Sequence, residues 1–235
     1  QSFFAVGGFA ISPDHQRIAW SEDTQGRRIH TLRFRDLATG QDLPDRMPGV
    51  LETMVWAADN RSVFYILQDP VTLQSGAVKL HRLGSPASED RTVYDEPDKT
   101  LFTNIGLSAS RRQLLIQLDG FDSTELRAVP TDHPEAEPTV VLARRPGVRA
   151  FGDHLNGRWV IRTNENALNK QWQFREFTLT TEDPFTDIDS PANGPLRPHT
   201  VAMTPDTLSG YAITTIETRD PDAVATSGIE THFAL

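Results

Sequence analysis

The chain of 235 residues contains no cysteine. This excludes disulfides, thiolate metal sites and a cysteine nucleophile, and it suits either the cytosol or the periplasm, with the cytoplasm expected. Long apolar runs are missing too. No stretch approaches the roughly 18 consecutive apolar residues of a membrane-spanning helix, so no membrane partner is expected. Positive charge is in deficit: 23 Lys and Arg stand against 32 Asp and Glu, a formal net charge of −9. Sequence-independent nucleic-acid binding needs a basic footprint, so no nucleic-acid partner is expected either. The acidic balance would suit cationic peptides, but mild acidity is common among soluble proteins. The first residues, Gln1-Ser2-Phe3-Phe4, offer neither an initiator Met nor the basic start of a signal peptide, and read as the start of a trimmed chain or a fragment.

Helix signals are equally sparse. Proline recurs along the chain, and no long segment places apolar residues at i, i+3, i+4 and i+7. Short strands and polar turns are there instead. In Ile11 to Asp36, Ser12-Pro13-Asp14-His15 makes a tight turn, because Pro presets φ and Asp bonds its own backbone. Arg17 to Trp20 is a short apolar run, Gly26 centres a second turn, and Ile29 to Asp36 alternates. Its Ile29, Thr31, Arg33 and Arg35 fall on one face, and His30, Leu32 and Phe34 on the other.

The pattern returns. ISPDHQRIAWSEDT, WAADNRSVFYILQD, LSASRRQLLIQLDG and FGDHLNGRWVIRTN each lead with an apolar residue, turn, and enter a strand. The turns begin near Ser12, Ala57, Ser108 and Asp153, at spacings of 45, 51 and 45 residues. A four-stranded propeller blade occupies about that length. Third strands are expected at Ile29–Leu37, Val78–Leu83, Thr124–Val129 and Trp172–Leu179, and outer strands at Gln41–Leu43, Arg91–Tyr94 and Thr139–Leu142. The fold class predicted is all-β, and the repeat length favours a propeller over a sandwich.

Ser21-Glu22-Asp23-Thr24-Gln25-Gly26-Arg27-Arg28, followed by Thr31 to Leu37, carries a resemblance to a known family. Further pieces follow in order: Val55 to Asn60, Phe64-Tyr65, His81 to Gly84, Val93 to Glu96 and Ile161 to Asn164. The ordered set, spanning about Phe3 to Glu176, resembles the propeller of oligopeptidase B in the prolyl oligopeptidase family of serine peptidases. The resemblance implies a seven-bladed propeller, of which this chain would carry about four blades over residues 1–182. It implies an α/β-hydrolase catalytic domain in cis, hydrolysis of short basic peptides after Lys or Arg, no cofactor, and a propeller that restricts access to the active site. Residues 183–235 match no regular blade. They read as a loop-rich tail in which Thr200–Met203 and Gly210–Ile216 would pair as a hairpin.

No catalytic, cofactor-binding or metal-binding residue is assigned. A serine nucleophile of this family needs a Gly-x-Ser-x-Gly elbow, and Ser75, Ser209 and Ser227 all lack the first glycine. Asp187, Asp189 and Asn193-Gly194 depart from the register of a calcium loop and read as solvated. His154 is expected to be structural, Arg27-Arg28 to be a solvated loop tip, and Trp20, Trp56, Trp159 and Trp172 to be core residues. Two other function classes stay open: a stand-alone protein- or peptide-binding module, marked by a natural stop after Leu235, and a propeller enzyme with carboxylate or metal chemistry at its centre.

Overall fold

Alternation of apolar and polar side chains builds the strands. In β3 (His30–Asp36), Leu32 and Phe34 are buried while Arg35 on the other face is exposed. The computed structural model describes residues 3–155 and 157–165 in full, and the backbone alone of short strands at 173–177, 199–200, 214–215 and 230–231. Among the described residues the only helical element is a 3-10 turn at Ala87–Glu89. No helix there is long and apolar enough to cross a membrane.

The strands form antiparallel units in chain order. The first holds β1 (Ala5–Ile11), β2 (Arg17–Asp23), β3 and the first part of β4 (Asp42–Trp56). The second holds the last part of β4 with β5 (Ser62–Gln68), β6 (Ser75–Arg82) and β7 (Arg91–Tyr94). The third holds β8 (Phe102–Leu107), β9 (Gln113–Asp119), β10 (Thr124–Pro130) and β11 (Thr139–Leu142). The fourth holds β12 (Ala150–Leu155), β13 (Arg158–Thr163), β14 (Gln173–Phe177) and β15 (His199–Thr200). The all-β reading therefore holds, and the outer strands β7 and β11 begin and end where the sequence placed them.

Strand β4 differs from its expectation as a short piece at Gln41–Leu43. It is continuous over 15 residues and serves two units. Its early residues pair with β3, Val50 pairs with both His30 and Leu67, and Met54–Trp56 pair with β5. The register breaks between Val50 and Met54, where the strand doubles back from the outside of one unit to the inside of the next. Glycine in β1 makes room for this. A Cβ on Gly8 would lie 2.7 Å from the Glu52 carbonyl oxygen, and one on Gly7 would lie 2.8 Å from Glu52 Cβ. Neither contact is tolerable, so the inner strands approach only because both residues lack side chains.

The four repeated turns share one backbone device. His15, Asn60, Arg111 and Gly157 all adopt left-handed φ, at 59°, 59°, 60° and 77°. In the first three, the N–H of this residue donates to the carbonyl three residues earlier, on Ser12, Ala57 and Ser108. The Asp59 carboxylate holds its turn by accepting from the backbone of Arg61 and Ser62, each at 2.8 Å. In the fourth, Leu155 pairs with Arg158, which leaves only two residues between the strands.

Packing joins each unit to the next. Ala19, Leu32, Phe34, Met47 and Val50 of the first unit meet Met54, Trp56, Val63 and Tyr65 of the second. Val55, Phe64, Ile66, Val78 and Leu80 of the second meet Ile105, Leu114, Ile116 and Leu118 of the third. Leu126, Val141 and Leu142 of the third meet Ala150, Trp159 and Ile161 of the fourth. Each fully buried large side chain is worth about 1.5–3 kcal/mol relative to exposure. Trp56 and Trp159 are core residues as expected, while Trp172 lies outside the described residues.

Trp20 departs from its expectation. It is only half-buried, pairs across the sheet with Arg33, and lies under the guanidinium groups of Arg33 and Arg35, 5.6 and 5.3 Å from its ring centre. It belongs to the face of the first unit that looks away from the second. Thr200 pairs with Gln173 as part of β15, and Thr214–Thr215 (β16) pair with Glu230–Thr231 (β17); the other residues of the expected hairpin, 201–203, 210–213 and 216, lie outside the described residues. The rest of 183–235, including the proposed loop at Asp187 and Asp189, lies outside the described residues.

Chemical denaturation separates the two aromatic environments. Phe64→Ala, from a fully buried site between the second and third units, is expected to cost about 3–5 kcal/mol. Trp20→Ala is expected to cost about 1 kcal/mol, nearer the range of substitutions outside the core. Equal losses would show that Trp20 is packed as core.

Candidate functional site

The inner strands of the first three units converge at the end that carries the repeated turns. They enclose an open cleft of about 410 Å³, lined by Ala10, Ile11, Thr53, Trp56, Leu107 and Arg111 among others. Trp56 forms part of its wall, and its Nε1–H donates to the Ala10 carbonyl at 3.0 Å. The lining is apolar apart from Thr53, backbone groups and the Arg111 guanidinium. Such a cleft can seat apolar surface and place a cation beside it. It holds no nucleophile, acid or base among the residues named as its lining.

The polar chemistry lies in the ties between units. Between the first and second, the buried ring of His81 stands between two carboxylates. Its Nδ1 is 2.7 Å from Asp90 Oδ1 and its Nε2 is 3.0 Å from Asp45 Oδ1. The other Asp90 oxygen accepts the Tyr65 hydroxyl at 2.8 Å. Burial, and then that carboxylate, push the Tyr65 phenol far above its ordinary value. The His81 ring also stacks on Phe34 at 6.0 Å between centres.

Between the second and third units, Arg144 reaches Glu96 at 2.8 Å and Glu125 at 3.6 Å. Burial raises the Glu96 carboxyl, but the Tyr94 hydroxyl, the Asp98 N–H and Arg144 outweigh it and leave it below its ordinary 4.5. Between the third and fourth units, Thr124 Oγ1 donates to the Ala150 carbonyl and accepts from the Ala150 N–H, both at 2.7 Å.

Several residues singled out in the sequence join these ties. His154 is buried, with Nδ1 2.6 Å from Ser110 Oγ, and Ser110 N–H donates to the His154 carbonyl at 2.9 Å. Burial, with Arg112 nearby, lowers the His154 imidazole below its ordinary value against the pull of Asp153. The Asp153 carboxylate accepts from the Ala109 and His154 backbone N–H groups rather than orienting the ring. The Ser110–His154 pair therefore clamps two units. Ser75 Oγ accepts the Thr103 N–H at 2.7 Å, a further tie between units, while Ser209 and Ser227 lie outside the described residues. Arg27 and Arg28 are exposed on the β2–β3 loop. Among the described residues no group of three His, Cys, Asp or Glu is placed to hold a metal.

Sequence reasoning missed the His81 cluster. A signal existed: His81 pairs with Val63, whose side chain belongs to the core facing the first unit. A histidine on that parity had to be buried and needed polar partners.

Successive antiparallel units, packed face to face with their inner strands adjacent and cross-tied, define a β-propeller domain. Residues 1–182 match the family described as prolyl oligopeptidase, N-terminal β-propeller domain, and the chain belongs to that family. Dipeptidyl aminopeptidase BI of Pseudoxanthomonas mexicana is 40% identical over 167 residues, which are 71% of this chain and 23% of that protein. Protease 2 of Moraxella lacunata is 31% identical over 68% of this chain and 24% of its own length. Oligopeptidase B from Leishmania major superposes with a TM-score of 0.69 at 26% identity, covering 75% of this chain and 25% of that one. The resemblance read from the sequence is borne out. The chain spans about a quarter of the length of these relatives.

Two measurements test the ties. Asp90→Ala removes the acceptor for both His81 and Tyr65, and is expected to destabilise by about 3 kcal/mol in urea unfolding; a neutral result would mean water replaces it freely. The Glu96 carboxyl has a depressed folded value. Its stabilising contribution is therefore complete above the ordinary carboxylate range and is lost as pH falls through the folded value. Stability curves from pH 6 down to about pH 3 should fall less steeply for Glu96→Gln than for the wild type.

Proposed function

We propose that this chain is the non-catalytic propeller region of an oligopeptidase B-like serine endopeptidase. The observation that carries this reading is the family match over residues 1–182 in a chain a quarter the length of its relatives. Residues 1–182 are the propeller segment, and 183–235 are a divergent continuation whose β15 adds to the fourth unit. The catalytic serine, histidine and acid belong to an α/β-hydrolase domain in cis, and no catalytic, cofactor or metal residue is assigned here. The propeller limits access to that domain, so that short peptides are cut after Lys or Arg while folded proteins are excluded. The excess of acidic side chains is compatible with basic substrates.

A second reading of the specificity has its own support. The relative at 40% identity is named a dipeptidyl aminopeptidase. Removal of N-terminal dipeptides is therefore the competing activity for the whole protein.

The test is an assay of the full-length protein beside the 235-residue chain. The full-length protein is expected to cleave a short blocked peptide after Lys or Arg, to be stopped by a serine-directed reagent, and to leave a folded protein with the same site intact. The 235-residue chain alone is expected to be inactive. Cleavage confined to unblocked N-terminal dipeptides would transfer the activity to the second reading. A natural gene without a Gly-x-Ser-x-Gly domain would leave an interaction module instead.

A further inference from the structure

The cleft at the turn end is built from equivalent positions of successive units. The inner strand of each unit ends on a large apolar residue directly before its turn: Ile11 in β1, Trp56 in β4, Leu107 in β8 and Leu155 in β12. Ile11, Leu107 and Leu155 are left 42%, 38% and 46% exposed. Trp56 is buried, and its ring forms part of the cleft wall. Ile11, Trp56 and Leu107 thus surround one concave space of about 410 Å³. Apolar side chains left in water around a concavity mark a binding surface.

Charge in the cleft has one sign. Arg111 is the charged residue of its lining. The carboxylates in and beside the repeated turns are engaged elsewhere. Asp14 accepts the Ser12 hydroxyl at 2.5 Å and the Gln16 N–H at 3.0 Å. Asp59 accepts from the backbone of Arg61 and Ser62, and Asp153 from that of Ala109 and His154. Among the described residues the Arg111 side chain makes no hydrogen bond or ion pair. Its backbone is fixed: Arg111 N–H donates to the Ser108 carbonyl at 2.7 Å, and Thr131 Oγ1 donates to the Arg111 carbonyl at 3.0 Å. A guanidinium on a fixed backbone beside an apolar wall suits a carboxylate that carries an apolar group.

The strand edges say which kind of carboxylate. β1 and β8 each have a hydrogen-bonded strand on one side only, so the other edge presents main-chain donors and acceptors beside the cleft. An acyl chain has no use for these groups, whereas an extended peptide matches them. We infer that the cleft is a binding site for the C-terminus of a peptide whose last residue is apolar. The terminal carboxylate pairs with the Arg111 guanidinium, and the last side chain packs among Ile11, Trp56 and Leu107. The site goes beyond the function proposed above: it breaks no bond, and it would hold its peptide whether or not the whole protein is a peptidase.

The test measures fluorescence anisotropy with the full-length protein and a dye-labelled octapeptide ending in two leucines. The dye blocks the N-terminus and the peptide contains no Lys or Arg, so it is a substrate under neither peptidase reading. The free acid is expected to bind at least tenfold more tightly than the C-terminal amide. Arg111 has a φ of 60°, and asparagine tolerates that backbone. Arg111→Asn is therefore expected to remove the discrimination without moving the melting temperature. Leu107→Ser is expected to weaken both forms alike. Absence of binding, equal affinity for acid and amide, or discrimination that survives Arg111→Asn would overturn the site. Octanoate that displaces the probe as well as the unlabelled, acetylated acid peptide does would overturn the peptide as occupant. None of these outcomes bears on the peptidase reading, which its own assay decides.

Discussion

A sheet with two apolar faces cannot stand alone in water. The second unit buries Trp56, Val63 and Tyr65 on one side and Val55, Phe64 and Ile66 on the other. Because side chains alternate along a strand, neighbours in sequence serve opposite cores. Every interior unit must therefore be sandwiched, and the order of the units around the axis is fixed by the order of the chain. The spacing of the turns, the glycines in β1 and the polar ties all serve that packing. It also explains why Trp20 is only half-covered. It stands on a face for which no neighbouring unit is described, and two arginines from its own sheet lie over it instead.

Apolar contact of this kind is strong but indifferent to small slips. The buried polar groups supply the missing registration. His81 between Asp45 and Asp90 is satisfied in one arrangement of the first two units, and a shift of one residue would strand charge in the interior. Arg144 with Glu96 and Glu125 does the same at the next boundary, and the reciprocal Thr124–Ala150 bonds do so at the third. Such groups add less net stability than their short distances suggest, because each is desolvated first. Their contribution is to make one alignment much better than its neighbours.

Much of this architecture was legible from local chemistry. The turns could be read because Pro13, Asp14, Asp59 and Asn60 have specific backbone uses, and β7 and β11 because they are short β-prone runs between polar loops. Trp20 was misplaced because size was weighed above parity. It lies opposite Arg33, on the side of β3 that also carries Thr31 and Arg35. The continuity of β4 was hidden by Pro44, Pro48 and Gly49, which normally interrupt a strand but here fall where it is an outer edge or turns inward. The ties were invisible for another reason. Asp45, His81 and Asp90 are up to 45 positions apart, and nothing in a single sequence marks them as neighbours. The partners of the short strands at 199–200 and 214–215 are equally non-local.

Because β4 belongs to two sheets at once, it sets where this lineage can change length. An added residue between Asp42 and Val50 would disturb pairing with β3, and one between Met54 and Trp56 pairing with β5, each turning buried side chains toward the wrong face. The same residue added after Leu83, or between Asp95 and Thr100, would only lengthen a loop. The left-handed turn residues are spaced 45, 51 and 46 positions apart, by subtraction from 15, 60, 111 and 157. The long second interval falls where the 3-10 turn at Ala87–Glu89 and the linker before β8 absorb the surplus. Insertions and deletions among related sequences should accordingly collect in those loops, while the doubled strand keeps its length.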